Sequence, residues 1–181
     1  MLIRKAAAAD LDAVAAIYAA VHTAEEAGRL NTGWIRDVYP TRVSASRAQA
    51  AGELFVLEEN GLVSGAGIIN KSQHEAYAAG SWQTAAKPET VMVLHTLAID
   101  PASSAKGLGR AFLRFYAEYA LANNCPNLRL DTNAVNLGAR AFYKKMGFRE
   151  VGSVKTPFNG IAEVCLILLE AQAEEILGGL A

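Results

Sequence analysis

Apolar residues follow two different spacings along the chain, and the two spacings alternate in a way that predicts an α/β domain. Short apolar or alternating runs predict strands over residues 1–6, 53–58, 62–70, 91–99, 128–132, 149–155 and 162–170. Longer runs with helical character predict helices over residues 11–21, 43–51, 108–123 and 134–146. The tail, residues 171–181, also has a helical pattern and is expected to form a short helix.

Turn-forming residues separate these elements. Asp10 is placed to cap the first predicted helix at its N-terminus. Asn60-Gly61 predicts a hairpin, because Asn-Gly is the preferred two-residue turn between antiparallel strands. Residues 71–88 are polar and interrupted, so no regular element is predicted there.

One strand-to-helix junction is a candidate phosphate site. A short loop before the helix at 108–123 closes on Lys106-Gly107-Leu108-Gly109. Glycines let the backbone approach a ligand, and the first amides of a helix attract phosphate. The Walker pattern is excluded, because it requires a lysine directly after the glycine, followed by Ser or Thr, whereas Lys106 precedes its glycine here. The dinucleotide fingerprint is excluded because it needs three glycines near the first strand. We therefore expect a phosphorylated cofactor of another kind.

A second segment, residues 127–148, also carries a recognisable pattern. It contains an alternating strand, then Asn136, then a helix with Ala139 and Tyr143, and it ends in Gly-Phe. Asparagine is typical of the first position of a helix, and glycine is typical of the position that follows a helix.

Together the two segments resemble the hallmarks of the GNAT superfamily of N-acetyltransferases, whose first motif is Arg/Gln-x-x-Gly-x-Gly/Ala. Ser104 departs from that motif, and because its backbone amide is kept we expect weaker pyrophosphate affinity rather than loss of binding. The resemblance covers residues 1–170. It implies one GNAT-type α/β domain, with a mixed, mostly antiparallel sheet of about seven strands flanked by about four helices. It further implies direct transfer of the acetyl group of acetyl-CoA to a primary amine in a ternary complex.

The resemblance also implies which residues bind the cofactor. The backbone at Leu97, Ala98 and Ile99 would pair with the pantetheine arm as an added strand does. The pyrophosphate would lie against Ser104, Ala105, Lys106, Gly107, Leu108, Gly109 and Arg110. Asn136 would bind near the pantetheine. Tyr143 would contact the cofactor and protonate the departing sulfur, since a phenol with a pKa near ~10 keeps its proton at neutral pH.

The group that accepts the proton of the amine stays open between His95, Glu89 and water. Period-two alternation predicts that one strand face carries Val91, Val93, His95, Leu97 and Ile99. His95 resembles the strand histidine of the arylalkylamine branch, which acts through water, and an imidazole with a pKa near ~6.5 accepts protons at neutral pH. The alternative is a buried structural histidine. His22 and His74 are expected at the surface.

Large aromatic residues in the variable segments are candidates for the acceptor site. They are Trp34, Tyr39, Trp82 and Phe158. Aromatic walls suit an apolar or aromatic amine, and Glu89 or Asp37 would attract its cation. Alternatively, Trp34 and Tyr39 fix an irregular loop to the core.

Composition narrows the range of partners. The 181 residues are 52% hydrophobic and 19% charged, with a net charge of −1, so disorder is not expected. No Lys/Arg-rich run indicates nucleic-acid binding. Cys125 and Cys165 have no metal-ligand spacing, and we expect no metal and two reduced thiols. No apolar run is long enough for a membrane span. We expect a cytoplasmic protein, and a homodimer is possible because many GNAT members dimerise.

Three functions remain open at this point. The first is acetyl transfer to a small-molecule amine. The second is acetyl transfer to a protein or peptide, which would need an open groove. The third is a non-catalytic sensor that binds acyl-CoA without turnover.

Overall fold

The computed structural model describes residues 1–103 and 107–179. Over these ranges the strands are β1 (Leu2–Lys5), β2 (Leu54–Glu59), β3 (Leu62–Asn70), β4 (Val91–Ile99), β5 (Asn127–Asn133), β6 (Arg149–Phe158) and β7 (Ile161–Gln172). The α-helices are α1 (Leu11–Glu26), α2 (Arg42–Ala50), α3 (Leu108–Ala122), α4 (Leu137–Lys145) and α5 (Ala173–Gly179). Short 3-10 turns occur at Ala8–Asp10, Glu75–Ala79, Pro88–Thr90 and Pro101–Ser103.

Within the described ranges, the seven strands form one sheet in the order β1-β2-β3-β4-β5-β7-β6. All neighbouring strands are antiparallel except β4 and β5, which run parallel. The predicted turn joins β2 to β3, and Asn60 and Gly61 both have positive φ angles, as this hairpin type requires. The expected α/β fold with a mixed, mostly antiparallel sheet is confirmed. The tail helix α5 adds a fifth helix to the four expected in the domain.

The helix α3 covers one face of the sheet. Phe112, Leu113 and Tyr116 are fully buried in this core. The Tyr116 hydroxyl shares its one proton between the carbonyl oxygens of Met92 and Arg129, at 2.6 and 3.1 Å. These carbonyls belong to β4 and β5, so one buried donor joins the two parallel strands from the side.

The opposite face is covered by α1 and α2 near β2 and β3. Val14, Ile17 and Val21 of α1 pack there with Leu54 and Val56 of β2. Because β2 alternates between the two faces, its remaining apolar residues join the α3 core. The sheet is thus covered by helices on both faces in the region that precedes the functional site.

Two local expectations need correction. Asp10 does occupy the N-cap position of α1, but its carboxylate makes no capping bond to that helix; it accepts hydrogen bonds from the Ala7 amide at 2.7 Å and from the Arg4 guanidinium. His22 is buried rather than exposed, and its Nε2 lies 3.0 Å from the carbonyl oxygen of Pro40. The reason is that α1 continues to Glu26, beyond its predicted end, and carries His22 beneath the following loop.

Candidate active site

The site lies where the two parallel strands separate. In the described residues, β4 and β5 pair from Val91 to Leu94 and from Asn127 to Leu130. Both strands continue further, but they no longer pair with each other, and a cleft opens between their carboxyl ends. The carboxyl ends of parallel strands are a common place for ligands to bind in α/β proteins.

A β-bulge at Thr96 shapes this cleft. The pairs Ala66–Ala98 and Ile68–His95 show that β4 contains one more residue than β3 over the same stretch. Thr96 has a φ of 51°, which is rare for a β-branched residue. Backbone strain of this kind is typical of functional sites held in place by the surrounding structure.

The bulge overturns the predicted alternation on β4. Val91 and Val93 share one apolar cluster, as expected. Leu97 and Ile99, however, pack against the α3 core together with Leu94, on the opposite face. The extra residue at Thr96 reverses the alternation, because a shift by one residue moves each later side chain to the other face.

Two cavities open into the cleft. The inner cavity is bounded by the ends of β4 and β5, by the segment before α2 and by the turn between β6 and β7, with Trp34, Tyr39, His95, Asp131, Asn136 and Phe158 among its lining residues. The outer groove extends towards the start of α3 and is lined by Ile99, Gly107, Gly109 and Phe142 among others. Both are lined by Leu97, Ala139 and Tyr143, so the two cavities meet at these residues.

Glycines at the start of α3 keep the outer groove open to the backbone. Gly107 precedes the helix with a φ of 75°. A Cβ added at Gly109 would lie 3.0 Å from the Phe142 ring, so close approach of α3 to α4 favours glycine there. Leu108 and Arg110 also line this groove, whereas Ser104, Ala105 and Lys106 lie outside the described residues. Ala98 is buried on β4 beside the groove.

Tyr143 stands at the junction of the two cavities. Burial and the nearby negative charge of Asp131 raise the pKa of its phenol well above the usual range, so the hydroxyl keeps its proton at neutral pH. Its helix, α4, begins where the side-chain oxygen of Asn136 accepts a hydrogen bond from the Ala139 amide, at 3.1 Å. That cap fixes Asn136 in the wall of the inner cavity, directly before the helix that carries Tyr143.

Sequence reasoning missed Asp131 as a candidate site residue. Asp131 lies on β5 and lines the inner cavity. Burial raises the pKa of its carboxyl group to about 6, and a hydrogen bond from the Tyr77 hydroxyl, at 2.7 Å, opposes that rise. A pKa near 6 leaves the carboxylate mostly ionised at pH 7 but able to accept a proton. The available signal was a carboxylate on the strand just before Asn136.

His95 also lines the inner cavity, next to the bulge. Its Nε2 donates a hydrogen bond to the side-chain oxygen of Asn70 at 3.0 Å, because an amide oxygen can only accept. Burial lowers the pKa of the imidazole to about 4. The ring is therefore neutral at pH 7, and it is a weaker proton acceptor than an exposed histidine.

Besides Tyr143 and the His95 imidazole, three aromatic rings form walls of the inner cavity. They belong to Trp34, Tyr39 and Phe158. The rings of Trp34 and Tyr39 meet edge to face, with centroids 6.5 Å apart. The Tyr39 hydroxyl also makes a short hydrogen bond with the Thr96 hydroxyl. The segment before α2 is thereby tied to the bulge on β4.

The residues between α1 and α2, 27–41, are held by a carboxylate, and we call this segment the acceptor loop. The Glu25 side chain accepts hydrogen bonds from the amides of Thr32 and Gly33, at 2.5 and 2.9 Å. The loop thus carries two of the three aromatic walls and has a defined anchor on α1.

Trp82 and Glu89 lie apart from the other candidate residues. Trp82 packs against Tyr77, and the Arg129 guanidinium lies 3.8 Å above its ring. Glu89 is exposed in the turn before β4. Neither side chain lines the inner cavity, whereas Trp34, Tyr39 and His95 do.

A search of residues 1–103 and 107–179 finds no group of His, Cys, Asp or Glu with the geometry to hold a metal ion. In the same residues, no helix combines the length and the apolar character that a membrane crossing requires.

Comparison with known proteins gives a consistent result. The model of the acetyltransferase (GNAT) family matches residues 13–148. N-acetylaspartate synthetase from Xenopus tropicalis is 31% identical over 67 residues, which are 37% of this chain and 25% of that protein. The chain thus spans about a quarter of the length of the curated relatives it matches.

Solved structures share the fold. A GNAT-family acetyltransferase from Streptococcus agalactiae superposes with a TM-score of 0.77 at 23% identity, covering 94% of each chain. The yncA protein of Salmonella typhimurium, solved with its cofactor acetyl-CoA, has a TM-score of 0.64 at 19% identity, over 96% of this chain and 94% of that one.

Proposed function

The chain belongs to the GNAT family of acetyltransferases, and from that premise we propose that it transfers the acetyl group of acetyl-CoA to the primary amine of a small molecule. The observation that carries this proposal is the junction of two cavities at Tyr143, with Asp131 in the wall of the inner one. A proton donor and a proton acceptor are the two groups that amine acetylation requires, and they occupy one cleft.

Acetyl-CoA would bind in the outer groove. The open space at Gly107 supports this, because a Cβ built there would meet no atom of the described residues within 4 Å and a ligand can therefore approach the backbone. The start of α3 would attract the pyrophosphate, and the backbone of Leu97, Ala98 and Ile99 would extend beside the pantetheine. The cofactor supplies an activated acetyl group as a thioester; the protein orients it and moves protons.

Asp131 is the proposed general base in place of His95. An amine with a pKa near that of lysine, ~10.4, enters as an ammonium ion and must lose a proton before it can react. The Asp131 carboxylate accepts that proton. The nitrogen lone pair would then attack the thioester carbonyl carbon, and the carbon–sulfur bond would break as the sulfur takes the proton of Tyr143. The acylated nitrogen would release its second proton, which restores the Tyr143 phenol, so that the net proton taken from the ammonium ion rests on Asp131. His95 remains neutral beside the site and holds Asn70.

A second candidate is transfer to a peptide. Ile35, Val38 and Val135 are exposed apolar residues near the inner cavity; Val38 lies close to the β6–β7 turn and Val135 close to the acceptor loop. An apolar rim of this kind would suit a peptide side chain. The enclosed aromatic walls of the inner cavity favour a small amine over a peptide.

The experiment that tests the proposed function measures CoA release from acetyl-CoA with a panel of amines and peptides. Wild type is compared with Tyr143→Phe and Asp131→Asn, and acetyl-CoA affinity is measured by calorimetry for all three. Turnover that falls in both variants while affinity persists supports the proposal. Tight acetyl-CoA binding without turnover for any acceptor would indicate the sensor function instead.

A further inference from the structure

The charged side chains that line the inner cavity are of one sign, negative. Among the described residues that line it, Asp131 is the one with a charged side chain at neutral pH, and none is Lys or Arg. The hydrogen bond described for its carboxylate comes from the neutral Tyr77 hydroxyl. A partly buried carboxylate whose described hydrogen-bond donor is neutral is incompletely compensated, and a bound ammonium ion would compensate it.

The rest of the cavity is suited to the carbon skeleton of such a cation. Trp34, Tyr39 and Phe158 offer ring faces and edges, and Ile161 and Leu166 add aliphatic surface. Aromatic rings attract cations through the negative charge of their faces. They also bury the apolar part of a bound ligand away from water. An acceptor with an ammonium head and an apolar or aromatic body therefore matches both parts of the wall.

The same lining disfavours acceptors that carry a carboxylate beside the amine. An α-amino acid would bring its negative charge close to Asp131, and the described wall holds no Lys or Arg to pair with it, while His95 there is neutral at pH 7. A like charge brought into a desolvated site lowers affinity and selects against the wrong partner.

Resting on the proposed function, we propose that the acceptor is an aralkyl or alkyl monoamine whose ammonium group is recognised by Asp131, and that an α-carboxylate excludes a compound from the site. The site would discriminate between acceptors by their charge. A neutral group of the same size as the α-carboxylate should therefore be tolerated at that position of the acceptor.

Three matched compounds test this inference: 2-phenylethylamine, L-phenylalanine and L-phenylalaninamide. All three compounds have the same phenylethyl skeleton and an amino group. The amide also matches phenylalanine in size but has no carboxylate charge. We expect kcat/KM for the amine and for the amide to exceed the value for phenylalanine by about 100-fold. Equal values for phenylalanine and its amide would overturn the inference, as would better turnover of a short peptide than of any free amine.

A pair of variants tests the aromatic part. Trp34→Leu should raise KM for 2-phenylethylamine by about tenfold without changing acetyl-CoA affinity, while Trp34→Phe should retain most of the activity. Phe115→Leu is the matched control, since this ring packs against Phe55 and Phe112, outside the inner cavity. An unchanged KM in Trp34→Leu would contradict the assigned wall.

The two proposals fail in different ways. If no amine, amino acid or peptide supports CoA release, the acetyltransferase function itself is wrong. If amino acids are acetylated as well as the amines, the transfer function stands and the charge-based selection of the acceptor is wrong.

Discussion

Tyr143 combines two properties that a proton donor needs in this site. It reaches both cavities, and burial keeps its phenol protonated far above neutral pH. Tyr143→Phe removes the hydroxyl and leaves the ring. We expect kcat to fall about 100-fold, the range found for loss of a general acid, with unchanged affinity for acetyl-CoA. Steady-state kinetics and calorimetry on the same preparation measure both quantities.

The control for this change is Tyr119→Phe. Tyr119 lies on α3, packs against Phe55 and Phe115, and is outside the described lining of both cavities. Its kcat should equal that of the wild type. A Tyr143→Phe variant with full kcat would remove the proposed acid role and leave Tyr143 as a packing residue.

Tyr77 acts through Asp131 rather than on the substrate. Its hydroxyl donates to the carboxylate and so lowers the pKa of Asp131, which burial has raised to about 6. In Tyr77→Phe that hydrogen bond is lost, and the pKa of Asp131 should rise further. A base works when deprotonated, so the acid limb of the kcat/KM profile should move to higher pH. At pH 8 and above, the variant should approach the activity of the wild type.

The readout is the midpoint of that acid limb, measured with one acceptor for both proteins. A purely structural role for Tyr77 would lower activity evenly at all pH values. An unmoved midpoint would therefore count against Asp131 as the base.

At the scale of elements, the sequence predicted most of the sheet and the place of the site. Strand β4 and helix α4 have strong local patterns, and the Gly107 and Asn136 motifs each lie at the start of a helix. The bulge at Thr96 was not predictable, because it depends on register with β3 and leaves no mark in the local alternation.

Long-range pairing explains the other omission. Asp131 receives its hydrogen bond from Tyr77, which lies in a stretch that was predicted to be irregular. Nothing near Asp131 in the sequence indicates that a tyrosine hydroxyl will contact it or that neighbouring elements will partly bury it. Local patterns locate a residue on an element, whereas the pKa of a buried group depends on what other elements bring to it.

The anchoring of the acceptor loop, residues 27–41, can be tested by a single substitution at Glu25. Glu25→Ala removes the acceptor of the Thr32 and Gly33 amides and should loosen the loop that carries Trp34 and Tyr39. We expect KM for the amine to rise about 5- to 10-fold, the equivalent of one or two hydrogen bonds. The affinity for acetyl-CoA should change much less, since Leu30 is the one acceptor-loop residue among the described lining of the outer groove and most of that lining belongs to β4, α3 and α4.

Glu118→Ala is the control for this change. It removes an exposed ion pair with Arg114 on the surface of α3, and pairs of that kind have little effect on stability. An equal rise of KM in both variants would show that the effect is not specific to the acceptor loop.

At the scale of the whole molecule, the site is arranged at the expense of stability. Asp131 and His95 are both partly buried on the central strands, and this burial shifts the pKa of each towards its neutral form. Thr96 holds a strained backbone between them and the acceptor loop. Proteins commonly keep such features where function needs them, so removal of one should stabilise the fold while activity is lost.

Asp131→Asn tests that relation. The pKa of Asp131 is higher in the folded protein, about 6, than in the unfolded chain, ~3.9, so folding becomes less favourable as the pH rises through this window. The neutral amide removes that penalty and can still accept from Tyr77. At pH 7.5 the variant should be more stable by roughly 1–3 kcal/mol and inactive, and near pH 4 the gain should vanish. Urea unfolding at both pH values measures this, with exposed Asp12→Asn as control. Lower stability of the variant at pH 7.5 would mean that the carboxylate has a cationic partner and is not poised to accept a proton.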